Sequence, residues 1–252
     1  MSLRQHEISE AGHRILNPLT EEKLDLLGRI CRLAAGERHL GLCCGKGEML
    51  SRWSAAYGTL GLGIDISRVF LEAAHRRAAD LGVADRVSFR HGDAGALFGP
   101  ELAVEAGAYD VVSCIGATWI GGGTEGTVAL IAPALKPAGL MLIGEVYWIE
   151  DPSAQVADAV GVGMTEAATM VGTLDRFEAA GMELVEMVLA DGDSWDRYVA
   201  GQWRTVDQWL RDHPQHPEAP GMRDFLDKAR RSHLAFGRRY LGWGVFVLRR
   251  KA

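Results

Sequence analysis

Hydrophobic positions along this chain follow two periods in turn. Short aliphatic and aromatic runs at 39–44, 60–66, 87–89, 109–115, 140–146, 184–189 and 241–248 predict strands. Leu24, Leu27, Ile30 and Leu33 recur at helical spacing behind Thr20-Glu21-Glu22. That tripeptide offers a side-chain cap and then acids where the helix dipole favours them, and Gly36 ends the element. Further helices are predicted at 48–57, 67–82, 174–181, 194–211 and 222–233, the second of them capped by Ser67. Strand and helix alternating at this spacing predict an α/β fold, with a parallel sheet covered by helices on both faces. The chain reads as an N-terminal segment and helix, 1–37, followed by one domain, 38–252. Helical additions to that domain are expected at about 151–172 and 191–238.

Composition narrows the class. With 48% hydrophobic and 24% charged residues among 252, the chain carries enough apolar material for a sizeable core. A net charge of -6, with only short arginine pairs at 230–231 and 238–239, argues against a protein that grips nucleic acid by its phosphates. The start of the chain has no apolar run of signal-peptide length, and the apolar stretch 138–148 is too short to cross a bilayer. Four cysteines without a CxxC pair make no disulfide framework. A cytoplasmic protein with a small-molecule substrate is expected, with neither nucleic acid nor membrane as partner. Self-association as a homodimer, or a protein partner, is left open.

The chemistry-bearing residues cluster at predicted strand ends. Gly45-Lys46-Gly47 joins the first strand to a helix, so the backbone can pass close to a ligand and the helix start offers free N–H groups. The same turn also serves plain strand–helix packing. It is not a P-loop, because no Ser or Thr follows Lys46 and the spacer is short. Asp65 ends the second strand, where a carboxylate can accept from a ribose diol; capping the next helix is the other use, for which Ser67 is better placed. Asp93 and Ala94 follow the third strand, where an acid can accept from an exocyclic amine and the next N–H can donate to a ring nitrogen. A lone Gly-Asp also makes a turn.

Together, Gly45-x-Gly47, Asp65, Gly92-Asp93-Ala94, Tyr109-Asp110-Val111-Val112 and Leu135-Lys136-Pro137-Ala138-Gly139 resemble a class I S-adenosylmethionine (SAM)-dependent methyltransferase. The likeness is specific over about 38–150. His13 to Pro18, Ile115 to Ile120, Leu142 to Trp148 and Gly242 to Phe246 resemble a bacterial small-molecule group within it. The resemblance implies a Rossmann-like seven-stranded sheet with the last strand antiparallel. It also implies SAM as cofactor, held by Gly41, Cys43, Gly45, Gly47, Asp65, Ile66, Asp93, Ala94 and Ile115.

A methyl acceptor would then sit over the ends of strands four and five. Glu145, which interrupts an apolar strand, is the expected general base or amine anchor; a salt bridge at the sheet end is the alternative. Tyr147 and His13 are the other catalytic candidates, His13 on a segment able to fold over the cofactor. Thr118, Trp119, Trp148, Trp195 and Tyr198 are the acceptor-binding candidates. Trp119, Tyr147 and Trp148 serve as well in a core, as does the stripe Trp195, Tyr198, Gln202, Trp209. Cys43, Cys44 and Cys114 are read as apolar filling, with no metal expected and Cys44 beside Cys114.

One departure stands out. The family's usual acid at the end of strand one and the glycine two residues on are Gly41 and Cys43 here. The adenosine half of the site matches, and the methionine half is altered. That alteration motivates a second expectation, a methyltransferase-fold protein acting as a non-methylating catalyst (a cyclase or eliminase) or as a partner subunit. A nicotinamide oxidoreductase is disfavoured by Leu50, where the dinucleotide fingerprint has its third glycine.

Overall fold

The computed structural model describes residues 2–164 and 166–251. Its strands are β1 (Arg38–Leu42), β2 (Leu60–Asp65), β3 (Val87–His91), β4 (Tyr109–Ile115), β5 (Leu135–Trp148), β6 (Met182–Leu189) and β7 (Leu241–Arg250). Its main helices are α1 (Leu3–Ser9), α2 (Glu21–Ile30), α3 (Glu48–Tyr57), α4 (Arg68–Asp80), α5 (Thr124–Ile131), α6 (Ala154–Val160), α7 (Met170–Ala179), α8 (Gly192–Asp212) and α9 (Ala219–Ser232). The strands form one seven-stranded sheet in the order β3-β2-β1-β4-β5-β7-β6. The first five pair in parallel, and β7 runs antiparallel to both β5 and β6. This is the sheet the resemblance implied.

Neighbouring residues on a strand face opposite sides of the sheet. Val112, Ile143 and Phe246 pack in one core layer with Phe177 of α7. Their neighbours Val111, Leu142 and Val245 pack in the other with Leu27 of α2 and Trp53 of α3. Both faces are therefore buried, which is why the central strands read as continuous apolar runs. The chain steps from β1 outward to β3, then returns to place β4 on the other side of β1. That reversal opens a crevice over the C-terminal ends of β1 and β4, the usual ligand position in such sheets.

Local chemistry sets the element ends. Thr20 and Ser67 cap α2 and α4 by accepting from Lys23 N–H and Phe70 N–H. At the start of α3, Glu48 is held by two of the Arg77 guanidinium nitrogens at 2.7 and 2.9 Å, tying α3 to α4. Strand β5 begins earlier than expected. Lys136-Pro137-Ala138-Gly139 has turn composition, yet lies inside β5 where the pairing with β4 shifts register between Tyr109 and Val111. An irregular stretch is where a strand tolerates proline. The helical additions hold α6, α8 and α9. A separate apolar cluster joins Val206 of α8, Met222 and Leu226 of α9 to Ile8 of α1, so the first helix docks on the late addition.

Candidate functional site

Three strand tips carry the nucleoside-type features. Cys43, Gly45 and Gly47 all adopt left-handed backbone, with φ of 49°, 54° and 67°. This winding aims Gly45 N–H at Asp65 Oδ2, 2.8 Å away, while Ser67 N–H donates to Oδ1 at 2.8 Å. Asp65 is only 7% exposed. Burial raises its carboxyl above the ordinary value, and the N–H bonds from Ser67 and Gly45 oppose that rise. An ionised carboxylate has about four acceptor positions. Two are occupied here, which leaves capacity for a diol at the crevice. Ile66, 55% exposed, presents an apolar side chain beside it. Asp93 is exposed, and its Oδ1 accepts Gly95 N–H at 2.9 Å, closing a turn over the buried Ala94. Its second oxygen has no hydrogen bond among the described residues. Asp93 therefore makes the turn and still offers an acceptor. These residues fit an adenosine moiety.

The altered half has a clear geometry. Cys43 takes the left-handed conformation that glycine adopts at no steric cost, at a strain of about 1–2 kcal/mol. Its thiol pairs with Cys114, and that contact together with burial pushes the Cys114 thiol far above its ordinary value. The cysteine pairing differs from expectation. Cys114 sits opposite Leu42 in the β1–β4 register, so Cys43, the next residue, meets it. Cys44 turns to the other side, its sulfur facing Gly63. Gly41 lies on β1 against Leu50.

At the tips of β4 and β5 a second group assembles. Thr118 donates to Glu145 Oε2 in a short hydrogen bond, and Val146 N–H donates to Oε1 at 2.8 Å. Burial raises the Glu145 carboxyl above its ordinary value, and both hydrogen bonds oppose that rise. Trp119, next to Thr118, is 73% exposed, a large apolar ring facing outward. Ile115 lies at the end of β4, lining one cavity with Asn17 and packed on the core cluster that holds Trp243. Tyr147 and Trp148 belong elsewhere. The Tyr147 ring packs over Gly242 and edge-on to Phe246. Trp148 is 3% exposed, in a cluster with Ala157, Ala167 and Leu241. Core packing accounts for both rings, the alternative weighed for them.

The N-terminal segment closes over the glycine turn. Lys46 Nζ donates to the carbonyls of Glu10, Ala11 and His13. Leu16 packs so closely on Gly45 that a Cβ there would lie 2.7 Å from Leu16 Cδ1. Behind the segment, the buried Glu10 carboxylate accepts from Tyr198 OH and Gln202 Nε2 of α8, each at 2.6 Å. His13 Nδ1 lies 3.0 Å from the same carboxylate, and its ring packs against Tyr198 at a 39° tilt. Burial raises the Glu10 carboxyl, but His13, Tyr198 and Gln202 together outweigh it and hold it below the ordinary value. Tyr198 and His13 thus have each other and Glu10 as partners, whereas Glu145 has Thr118 and Val146. Trp195 packs half-buried against the α2-side core.

Sequence reasoning brought Asp65, the glycines, Thr118 and Glu145 to their strand ends. It missed Glu10, because a carboxylate at the end of a short helix carries no signal until α8 folds over it. It used Lys46 only to set aside a P-loop. Among the described residues no His, Cys, Asp and Glu group is placed to hold a metal ion, and no helix is long and apolar enough to cross a membrane.

Comparison with known proteins agrees with this geometry. Residues 40–139 match a methyltransferase domain model. The chain is 45% identical over 243 residues to the uncharacterized protein YjhP of Escherichia coli (strain K12), covering 96% of each. It is 30% identical over 173 residues to the 27-O-demethylrifamycin SV methyltransferase of Amycolatopsis mediterranei (strain S699), covering 67% of this chain and 62% of that one. A SAM-dependent methyltransferase from Geobacter sulfurreducens, crystallised with S-adenosyl-L-homocysteine, superposes with a TM-score of 0.93 at 43% identity, covering 99% of each chain. The sheet order, the carboxylate at the end of β2 and these full-length likenesses place the chain in the SAM-dependent methyltransferase family, with SAM as its cofactor.

Proposed function

We propose that this enzyme methylates a small-molecule acceptor held over the tips of β4 and β5, with Glu145 as its base or amine anchor. The carrying observation is the Thr118–Glu145 pair, a largely buried carboxylate oriented by a hydroxyl and a backbone N–H. A carboxyl raised by burial is a stronger base near neutral pH than a solvated one. Bound SAM supplies an electrophilic methyl group on sulfur. Glu145 would take the proton from an acceptor hydroxyl or amine as the new bond to the methyl carbon forms and the methyl–sulfur bond breaks, its electron pair staying on sulfur, or would hold an ammonium neighbour in place. Trp119 offers an exposed aromatic face to the acceptor, and residues 2–19 form a lid that excludes water. Asp65 would hold the ribose, with Asp93 and Ala94 at the base.

The -6 net charge supports a small acceptor over nucleic acid, and four free cysteines suit a reducing, cytoplasmic setting. The rifamycin-modifying relative, by its name, acts on a small molecule. Methyl-labelled SAM offered with a hydroxylated and aminated metabolite extract, and separately with tRNA and protein, tests the reading. Label in the small-molecule fraction is expected. Label only in nucleic acid or protein would contradict it.

A further inference from the structure

The altered methionine half leaves a specific chemical gap. An amino-acid moiety brings one ammonium and one carboxylate, and Gly41, one residue before the end of β1, has no side chain to meet either. A cavity of about 70 Å³ lies at this place, between the glycine turn, Ser113 and Ile115 on one side and Arg14 to Asn17 on the other. Three charged side chains border it: Arg14, Lys46 and Glu48. Two are already committed. The Lys46 ammonium is bound by three carbonyls, and Glu48 by Arg77 in two hydrogen bonds. Arg14 keeps its donors, with a single loose approach of 3.9 Å to Glu21. Its guanidinium suits a carboxylate. Ser113 is occupied as well, by His39 and Leu40 O. Asn17 is not. Its side-chain amide has no hydrogen bond among the described residues, although the residue is half-buried. Its Oδ1 lies 2.6 Å from where a Cβ on Gly116 would stand, at the end of β4.

We propose that the N-terminal segment supplies the amino-acid half of the cofactor site, Arg14 pairing with the methionine carboxylate and the Asn17 amide accepting from the α-ammonium. The recognition lost from β1 is thereby carried on the element that covers the cleft. Closure over the cofactor and recognition of its amino-acid end become one event. A nucleoside thioether lacking that end would bind without drawing on Arg14 or Asn17. This inference rests on the SAM reading and adds to it which residues select SAM over shorter nucleosides.

The test is calorimetric titration of the full chain with S-adenosylhomocysteine and with 5′-methylthioadenosine, which lacks the amino-acid portion. Arg14 is exposed, so Arg14→Gln should fold normally; Asn17→Ala is the second variant, and melting temperatures report the integrity of both. Each is expected to weaken S-adenosylhomocysteine about tenfold or more and to leave methylthioadenosine within about twofold. Unchanged homocysteine-form affinity in both variants would overturn the proposal. So would equal losses for the two ligands, which mark a merely structural role. A wild-type chain that binds neither ligand would overturn the SAM reading itself, a result distinct from both.

Discussion

In the proposed reaction Glu145 carries both chemistry and a stability cost. Its carboxyl is raised by burial, so the folded state holds the proton more tightly than the unfolded chain does. The sign follows: that stabilisation is complete below the ordinary carboxylate value and is lost as pH rises through the raised one. Glu145→Gln keeps an acceptor for Thr118 and removes the buried charge. At pH 8 the variant is expected to melt a few degrees higher than wild type, about 2–4 °C per kcal/mol relieved, with the gap closing in acid. Its kcat/KM is expected to fall by about 10²-fold or more. Calorimetric melts across pH and a methyl-transfer assay check both; a variant as active as wild type would remove Glu145 from the chemistry. Cys43 is the counterpart with no chemistry assigned. It occupies a glycine-type conformation and turns its thiol to Cys114, which explains how the glycine turn keeps its shape without its first glycine.

At the scale of elements, α1 and α8 form a latch. Tyr198 and Gln202 sit one helical turn apart on α8, so both reach the same Glu10 oxygen. Burial and the adjacent Glu10 carboxylate push the Tyr198 hydroxyl far above its ordinary value, so it stays a donor. Because the Glu10 carboxyl is held below its ordinary value, the latch is complete above the unfolded carboxylate value and is lost as pH falls through the lowered one. Tyr198→Phe deletes one hydrogen bond to a charge, so amide exchange at residues 3–19 is expected to speed up about tenfold or more near neutral pH. Hydrogen-exchange mass spectrometry measures this. Unchanged exchange would mean that apolar packing of Ile8 alone seats the segment.

The elements also show where sequence reading succeeds and stops. Caps at Thr20 and Ser67 and the turn at Gly45 to Gly47 are local, each written in a few adjacent residues, and they stand where expected. The stripe on α8 was legible as a stripe, but its partner lies 188 residues away in the chain, and periodicity carries no information about that. The same limit applies to Cys43 and Cys114, whose meeting depends on register between β1 and β4. Pro137 reads as a turn because composition alone cannot show that the paired strand shifts register there.

For the whole molecule, strand order decides where function can lie. The reversal between β1 and β4 puts the glycine turn, Asp65, Ile115 and the N-terminal segment around one crevice, with the Thr118–Glu145 pair beyond it at β5. The central claim is that a nucleoside cofactor spans the tips of β1, β2 and β3 with its sugar on Asp65. Titration of wild type and Asp65→Asn with S-adenosylhomocysteine tests it most directly. The account predicts one binding site on wild type and a loss of roughly 1.5–3 kcal/mol in the variant, about 10- to 150-fold in Kd. An equal Kd for the two proteins would contradict it.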